Sequence, residues 1–186
     1  MALPEGAEDI PGVIIPRKTI IEIRKLLEDQ EGNLDLSVSD NKIMMKLNNV
    51  VLTSKLLDGT FPDYSRVIPE QNEKEILVSN KLLSEAVDRV STVSTDKTRA
   101  IKINLNKDNM VVSATNPDKG SASENVATKY DADEVEIGFN SKYVLDVARQ
   151  INGDEVVIKV SDAVSPTLVY DKDDKGVLFV LMPMRV

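Results

Sequence analysis

A threefold internal repeat is the feature of this sequence that most constrains its fold. Three segments each carry a short apolar run that leads to a lysine, and a helix-like stretch follows the lysine. The lysines are Lys18, Lys81 and Lys142, so the repeat spacings are 63 and 61 residues. A regular spacing of this size indicates that the chain is built from copies of one supersecondary unit.

The helix-like stretches share an apolar stripe. Apolar residues stand two, five and nine positions after each lysine, which places them on a single helical face. Ser79 and Asn140 precede the second and third helices and suit the N-cap, whereas Thr19 with Glu22 resembles a capping box in the first. The stripes are Ile20, Ile23 and Leu27, then Leu83, Ala86 and Val90, then Val144, Val147 and Ile151.

After each predicted helix the apolar period falls to two, which predicts antiparallel hairpins. Turn residues 171–176 precede a predicted buried strand from Val177 to Met182. Each repeat therefore has the order β-α-β-β-β, and the fold class is α+β with antiparallel sheets. One helix on one small sheet buries little apolar surface, so we expect the repeats to pair across their helices. Because three is an odd number, either one repeat is unpaired or the chain is a piece of something longer.

A polar run after Pro69 is the best candidate for a domain boundary. Pro62, Pro69 and the charged residues that follow separate the first repeat from the other two. We expect the incomplete first domain over residues 1–70, a linker over 71–75 and a second domain over 76–186.

Two missing residue types exclude much catalytic chemistry. The chain contains no cysteine and no histidine, so disulfides, thiolate nucleophiles, imidazole acid–base catalysis and the usual zinc sites are excluded. We therefore expect no metal and no cofactor. The first residues do not resemble a signal peptide, and no apolar run approaches the ~18 residues that a membrane helix needs. We expect a cytoplasmic protein with no membrane partner.

Three short motifs resemble catalytic or metal-binding patterns, and we interpret each as a turn. Ser39 and Ser94 stand three residues before a lysine, as in the nucleophile box of the penicillin-interacting enzymes, but both lie in or near predicted turns. Residues 171–176 begin like a calcium loop, but Lys175 and Met182 stand where ligands are required. We predict no catalytic residue; an esterase or amidase that uses Ser39 or Ser94 is a competing hypothesis.

The predicted helices are basic although the chain is acidic. The net charge is −8, yet the three helical segments carry eight basic and four acidic residues. Lys18 with Lys25, and Lys142 with Arg149, lie seven residues apart on the face opposite the apolar stripe. These faces are either ordinary solvated surfaces with i,i+4 ion pairs or a shared surface for a polyanion. Because aromatic residues are few, contact with nucleic acid would be to phosphates and independent of sequence.

Two stretches indicate a binding surface. Residues 53–69 combine two prolines with Phe61, Tyr64 and Arg66, and the C-terminal residues 180–186 carry two methionines around Pro183. Methionine-rich surfaces accommodate varied apolar ligands. The alternative is that the methionines only complete the core packing of the last strand.

These stretches resemble the beta subunit of bacterial DNA polymerase III, the sliding-clamp family. The similarity covers essentially the whole chain, and its most specific motifs are Thr53–Tyr64, Ile137–Asn140, Tyr143–Val147 and Met182–Arg185. It implies a DNA-clamp fold, with antiparallel sheets outside and helices lining one face. In the family, two protomers of three domains close head to tail around duplex DNA. The chain resembles the second half of the middle domain followed by the whole C-terminal domain.

The resemblance implies three sets of site residues. Pro166 departs from the serine often found at the pocket edge, and the other pocket wall matches a segment that would precede residue 1. The partner-peptide pocket is expected at Pro62, Arg66, Val67, Asn140, Tyr143, Val164, Val180, Met182, Pro183, Met184 and Arg185. The DNA-facing cations are Arg17, Lys18, Lys25, Lys81, Lys142 and Arg149, and the ring contact is Thr92, Val93, Asn116 and Pro117.

The function that the resemblance implies is that of a non-catalytic processivity factor. Its expected partners are double-stranded DNA, bound without sequence preference, and the DNA polymerase III alpha subunit, the clamp-loader complex and other polymerases or repair proteins, bound through a short peptide motif. A homodimeric ring is expected of the full-length protein. The alternative is a stand-alone peptide-binding module that does not encircle DNA.

Overall fold

The chain divides into two compact units after Pro62. A computed structural model describes residues 6–7, 12–28, 32–95 and 97–185. The division lies eight residues before the end of the predicted first domain. The predicted linker, residues 71–75, overlaps the start of a strand that begins at Lys74.

The first unit is one helix on one small antiparallel sheet. Its elements are α1 (Arg17–Glu28), β1 (Asp35–Val38), β2 (Lys42–Leu47) and β3 (Val50–Lys55), with the strand order β1-β2-β3. Strand β2 alternates between exposed and buried residues, as a sheet with one covered face should. Its buried Ile43 and Met45 form a small core with Ile23 of α1.

Helix α1 uses a different face from the one that its sequence predicts. Of the predicted stripe only Ile23 is buried, while Ile20 and Leu27 are 46% and 41% exposed. The predicted capping box at Thr19 is wrong, because Thr19 is already inside the helix. Its Oγ1 instead lies 2.7 Å from Oγ of Ser54 on β3, in a hydrogen bond between helix and sheet.

The second unit contains the β-α-β-β-β order twice. After a short 3-10 helix (Tyr64–Val67), the first repeat is β4 (Lys74–Ser79), α2 (Asn80–Ser91), β5 (Ala100–Asn106), β6 (Asn109–Asn116) and β7 (Gly120–Lys129). The second repeat is β8 (Val135–Asn140), α3 (Ser141–Ala148), β9 (Glu155–Val160), β10 (Thr167–Asp171) and β11 (Leu178–Leu181). These elements confirm the predicted fold class.

The two repeats of the second unit pair with each other in a near-symmetric way. The first strand of each repeat pairs with the second strand of the other, β4 with β9 and β8 with β5. The eight strands form one sheet in the order β11-β10-β9-β4-β7-β6-β5-β8, and α2 and α3 pack against each other. This confirms the predicted pairing across helices.

One register position identifies all three copies of the repeat. Four residues before each repeat lysine, a residue pairs with one that lies in or just after the last strand of its own repeat. The three antiparallel pairs are Ile14↔Leu57, Leu77↔Lys129 and Gly138↔Met184. The alignment of the repeats on Lys18, Lys81 and Lys142 is therefore structural as well as sequential.

The predicted helix stripes and caps are correct in the second unit. The stripes of α2 and α3 are buried, with Val147 half-buried. Ser79 Oγ accepts a hydrogen bond from the backbone N–H of Leu82 (3.4 Å), and Asn140 Oδ1 accepts one from Lys142 (3.0 Å). The prediction of a buried strand over Val177–Met182 is wrong in length and in burial, because the strand is Leu178–Leu181 and its residues are exposed or half-buried. Among the described residues, no helix is both long and apolar enough to cross a membrane.

Candidate functional site

The C-terminal segment of the second unit is hydrogen-bonded to β8, but the side chain of one of its methionines, Met182, is exposed. The backbone N–H of Met184 donates to the carbonyl of Gly138 (2.9 Å), and Met184 and Pro183 are half-buried. Met182 is 63% exposed. Core packing therefore accounts for part of Met184 and for little of Met182.

Strand register places Met182 beside the loop that precedes β10. Thr167 pairs with Leu181, and Leu168 pairs with Val180. One step further along the same antiparallel ladder, Met182 stands at the level of Pro166. Val180 is half-buried and Arg185 is exposed.

The 161–166 loop is held by one carboxylate. Asp162 Oδ1 accepts the backbone N–H of Val164 (2.8 Å) and of Ser165 (2.7 Å), and Oδ2 accepts the hydroxyl of Ser165 (2.8 Å). The N–H of Val164 is the main reason that the pKa of Asp162 is lowered, followed by the Ser165 hydroxyl. The tight loop presents Val164, which is 65% exposed, on its outside.

The short 3-10 helix presents Arg66 and Val67. Asp63 accepts hydrogen bonds from the backbone and hydroxyl of Ser65, and the Ser65 hydroxyl is the main reason that its pKa is lowered. Arg66 Nε donates to Asp63 Oδ2 at 3.1 Å, while the Arg66 side chain stays 83% exposed. Val67 is 51% exposed.

A groove of about 360 Å³ joins two of these segments. Arg66 and Val67 line one side, and Ser165 and Pro166 line the other. Because Met182 follows the strand that ends beside Pro166, the groove and the exposed methionine lie at the same end of β10 and β11. Pro62 belongs to the first unit and is exposed.

Asn140 and Tyr143 lie at the junction of β8 and α3. Besides capping α3, the Asn140 side chain donates from Nδ2 to the carbonyl of Thr98 (3.2 Å). Tyr143 is 58% exposed on the helix. Because Met184 bonds to Gly138, the C-terminal segment reaches the strand that ends at this junction.

The expected DNA-facing cations are all exposed. In the first unit these are Arg17, Lys18 and Lys25, and in the second they are Lys81, Lys142 and Arg149. Lys25 pairs with Glu22 (3.4 Å) and Arg149 with Asp146 (3.3 Å), as an ordinary solvated helix face would predict. The repeat lysines make no ion pair within the part of the chain that the structure describes.

The expected ring-contact residues stand at the end of α2 and at the β6–β7 turn. Thr92 is exposed and Val93 is half-buried. Asn116 is 6% exposed, and its Oδ1 accepts the backbone N–H of Asp118 (2.9 Å), whereas Pro117 is exposed. Asn116 therefore shapes the turn, and Pro117 is its outward-facing residue.

An ion pair that the sequence did not indicate ties α2 to β7. Arg89 donates from Nε and Nη2 to the two carboxylate oxygens of Glu124, at 2.7 and 2.8 Å. The hydrogen bond to Arg89 is the main reason that the pKa of Glu124 is lowered. Arg89 and Glu124 are 35 residues apart, so no local motif could have revealed the contact.

The motifs that resemble catalytic and calcium sites are turns. Ser39 Oγ donates to the carbonyl of Lys42 (3.3 Å), and Ser94 is 7% exposed and donates to the carbonyl of Ser91 (2.8 Å). Asp171 accepts backbone N–H groups rather than facing an open site. Within the described residues, no group of three carboxylates is arranged to hold a metal ion.

Comparisons with known proteins decide the family. Residues 65–185 match the family model for the C-terminal domain of the DNA polymerase III beta subunit, and residues 1–63 match the model for its central domain. The chain belongs to the DNA polymerase III beta subunit family.

Named relatives of this family are beta sliding clamps. The chain is 47% identical over 186 residues to that of Caulobacter vibrioides strain NA1000 / CB15N, covering 100% of this chain and 50% of the relative. It is 36% identical over 174 residues to that of Vibrio cholerae, covering 94% of this chain and 48% of the relative. The chain thus spans about half the length of the curated relatives that it matches.

Solved sliding clamps show the same fold. The clamp of Bartonella birtlesii bound to griselimycin superposes with a TM-score of 0.94 at 48% identity, covering 100% of this chain and 50% of that chain. A clamp from Caulobacter crescentus superposes with a TM-score of 0.92 at 46% identity, again covering 100% of this chain and 50% of the other.

Proposed function

We propose that the chain is the partner-binding and DNA-facing part of a sliding clamp. In this role it catalyses nothing, and the complete protein encircles duplex DNA and keeps a polymerase attached to it. The observation that carries the proposal is the groove between Arg66 and Pro166, with Val164 exposed on the loop that lines it and Met182 exposed just after the strand that ends beside Pro166. The names of the relatives favour a clamp over a stand-alone peptide-binding module.

The groove suits a short peptide with one or two apolar side chains. Val67, Val164 and Met182 supply apolar surface that is already exposed, and methionine adapts to differently shaped side chains. Arg66 is held at the groove by Asp63 and can donate to peptide carbonyls or to a carboxylate. Pro183 limits the ordering cost of the C-terminal segment.

The proposed peptide comes from proteins that act on DNA. We assign the groove to the DNA polymerase III alpha subunit, the clamp loader and other polymerases or repair proteins. In the second unit, the rest of the proposed pocket comprises Asn140, Tyr143, Val180, Met184 and Arg185.

The exposed helix cations are the proposed DNA surface. Arg17, Lys18, Lys25, Lys81, Lys142 and Arg149 would contact backbone phosphates without reading bases. Thr92, Val93, Asn116 and Pro117 are the proposed ring contact of a full-length homodimer. Because the DNA that it is proposed to encircle is bacterial, we place the protein in the cytoplasm.

Calorimetry with a short peptide of glutamine plus leucine or phenylalanine tests the groove. Replacing Met182 by alanine should weaken binding about tenfold, a cost of about 1–2 kcal/mol for a central apolar anchor. Met44→Ala is the matched control, since Met44 is an exposed methionine (42%) on β2 of the first unit. If deletion of residues 182–186 leaves the affinity unchanged, the pocket assignment is wrong.

A further inference from the structure

A second, polar groove is lined by the last turn of α2, the loop before β5 and the length of α3. It has a volume of about 310 Å³. Three cations line it, Arg99, Lys142 and Arg149, together with the carboxylates of Asp88 and Asp146. Arg99 lies on the loop before β5 and was not among the residues that the sequence indicated.

The backbone of Arg99 is in a conformation that arginine rarely adopts. Its φ is +48°, in the left-handed region. The other two described non-glycine residues with positive φ are Asn48 (51°) and Asp108 (54°), both in hairpin turns and of types that tolerate this region. Arg99 is neither in a hairpin turn nor of such a residue type. Strained backbone of this kind clusters at functional sites.

Two backbone hydrogen bonds hold Arg99 in this conformation. Its N–H donates to the carbonyl of Thr95 (2.9 Å), and its carbonyl accepts the N–H of Ser141, the first residue of α3 (2.9 Å). The loop is therefore tied to the helix that carries Lys142 and Arg149. These bonds fix the point from which the Arg99 side chain extends along the groove.

The charges of the groove are only partly balanced. Arg149 pairs with Asp146 at 3.3 Å. Arg99 and Lys142 make no ion pair within the described parts of the chain, and both are exposed. One forked and one compact cation that line the same groove can bind two oxygens of a phosphodiester.

We infer that this groove seats a phosphate of the DNA backbone and that Arg99 is a DNA-contacting residue. The inference rests on the proposed clamp function. It adds a fixed contact point, on the loop before β5, to the exposed cations of α2 and α3. Glycine or asparagine at this position would relieve the strain but would remove the guanidinium.

The test is a nuclear magnetic resonance titration of the whole ¹⁵N-labelled chain with a 12-base-pair duplex at several salt concentrations. We expect the amides of Ser94, Arg99 and Lys142 to shift. Arg99→Gly should weaken duplex binding several-fold and reduce the slope of log K against log salt by about one. Its melting temperature should be equal to or above that of the wild type, because glycine adopts positive φ without strain. Arg99→Asn should behave in the same way. The control is Lys119→Ala, since Lys119 is an exposed cation on the β6–β7 turn; it should leave the duplex affinity, the salt slope and the melting temperature unchanged.

Three results would overturn the inference. If wild type binds duplex but both Arg99 variants keep its affinity and salt slope, the groove does not bind a DNA phosphate, although the clamp function stands. If wild type does not bind duplex even at low salt, the DNA part of the proposed function fails together with the groove. If a poly-glutamate peptide shifts the same amides while the duplex does not, the groove serves an acidic protein instead.

Discussion

At the scale of single residues, Thr167 has a hydroxyl in a place that suits a methyl group. The residue is 0% exposed, and its Oγ1 has no hydrogen-bond partner among the described residues. It lines a cavity of about 20 Å³ together with apolar side chains such as Leu83, Ile103 and Val169. A buried hydroxyl without a partner costs desolvation energy that nothing offsets.

We therefore expect Thr167→Val to stabilise the protein. Valine has nearly the same shape, so the free energy of unfolding should rise by about 1 kcal/mol. Urea denaturation measures it, with Thr53→Val on the exposed face of β3 as a control that should change stability by less than ~0.5 kcal/mol. A less stable Thr167→Val protein would show that the hydroxyl has a partner after all.

The carboxylate of Asp171 makes the stability of the protein depend on pH. Its carboxylate accepts the backbone N–H of Asp173 (2.9 Å) and of Gly153 (2.8 Å), and these bonds, that of Asp173 foremost, lower the pKa of Asp171 below 3.8. Since the folded-state pKa is below the unfolded one, the stabilisation is present above about pH 4. It is lost as the pH falls through the lowered folded-state value.

Asp171→Asn should therefore be less stable than wild type at pH 7, and the difference should shrink below about pH 4. The asparagine carbonyl can replace only one of the charged acceptors. Urea midpoints at pH 7, 4 and 2.5 measure the effect, with Asp58→Asn as an exposed control. A difference that stays constant across this pH range would refute the role of the charge.

At the scale of helices and strands, periodicity predicted most of what local sequence controls. The stripes of α2 and α3 and the caps at Ser79 and Asn140 are correct because they depend on neighbours within one or two turns. Strand β7 could not be assigned residues, since its small and polar side chains give little apolar alternation. The difference between Met182 and Met184 depends on the register of β11, which distant strands set.

Asn80 shows an element contact that sequence cannot reveal. From the first position of α2, its Nδ2 donates to the carbonyls of Ala148 (3.1 Å) and Ile151 (3.2 Å) at the end of α3. The partners are 68 and 71 residues away, so the bond exists only once the two repeats have paired. It gives a donor to the carbonyl of Ile151 and a second donor to that of Ala148, which also accepts the N–H of Ile151 (3.3 Å). Carbonyls at a helix end need such donors from outside the helix.

We expect Asn80→Asp to be more destabilising than Asn80→Ala. Alanine removes the amide donor from both carbonyls, at a cost of about 1–3 kcal/mol, whereas aspartate also places a negative charge against them. Thermal denaturation at pH 7 should rank the proteins wild type, Asn80→Ala, Asn80→Asp. Equal stability of the two variants would mean that the amide donor contributes nothing beyond packing.

At the scale of the whole molecule, the two units differ in how much core they have. Among the described residues, the main core of the second unit contains twenty-two buried apolar residues and that of the first contains three. The positions of Ile20 and Leu27 show the reason. Their counterparts in α2 and α3 (Leu83, Val90, Val144 and Ile151) are at most 7% exposed because a second repeat covers them.

Helix periodicity alone could not predict this difference, because the three stripes have equivalent spacing. The odd number of repeats did indicate that one repeat could be unpaired, and the expected first domain was incomplete. Whether a stripe is buried depends on a partner repeat, and the helix pattern by itself does not include that information. The same holds for the pocket, whose residues were named by family resemblance. Spacing alone indicated only the methionine-rich end and the proline-rich loop.

We predict that the first unit opens more easily than the second. In native-state hydrogen exchange, amides of β2 should have a lower free energy of opening than amides of β6, since local stability follows buried apolar contact. Ile43→Ala should lower the opening energy of the β2 amides by about 2–4 kcal/mol and leave the β6 amides unchanged. Val112→Ala, at an equally buried site in β6, should lower the opening energy of the β6 amides. If Ile43→Ala lowers the opening energy of the β2 and β6 amides equally, the two units unfold together. The difference in core size then has no consequence for cooperativity.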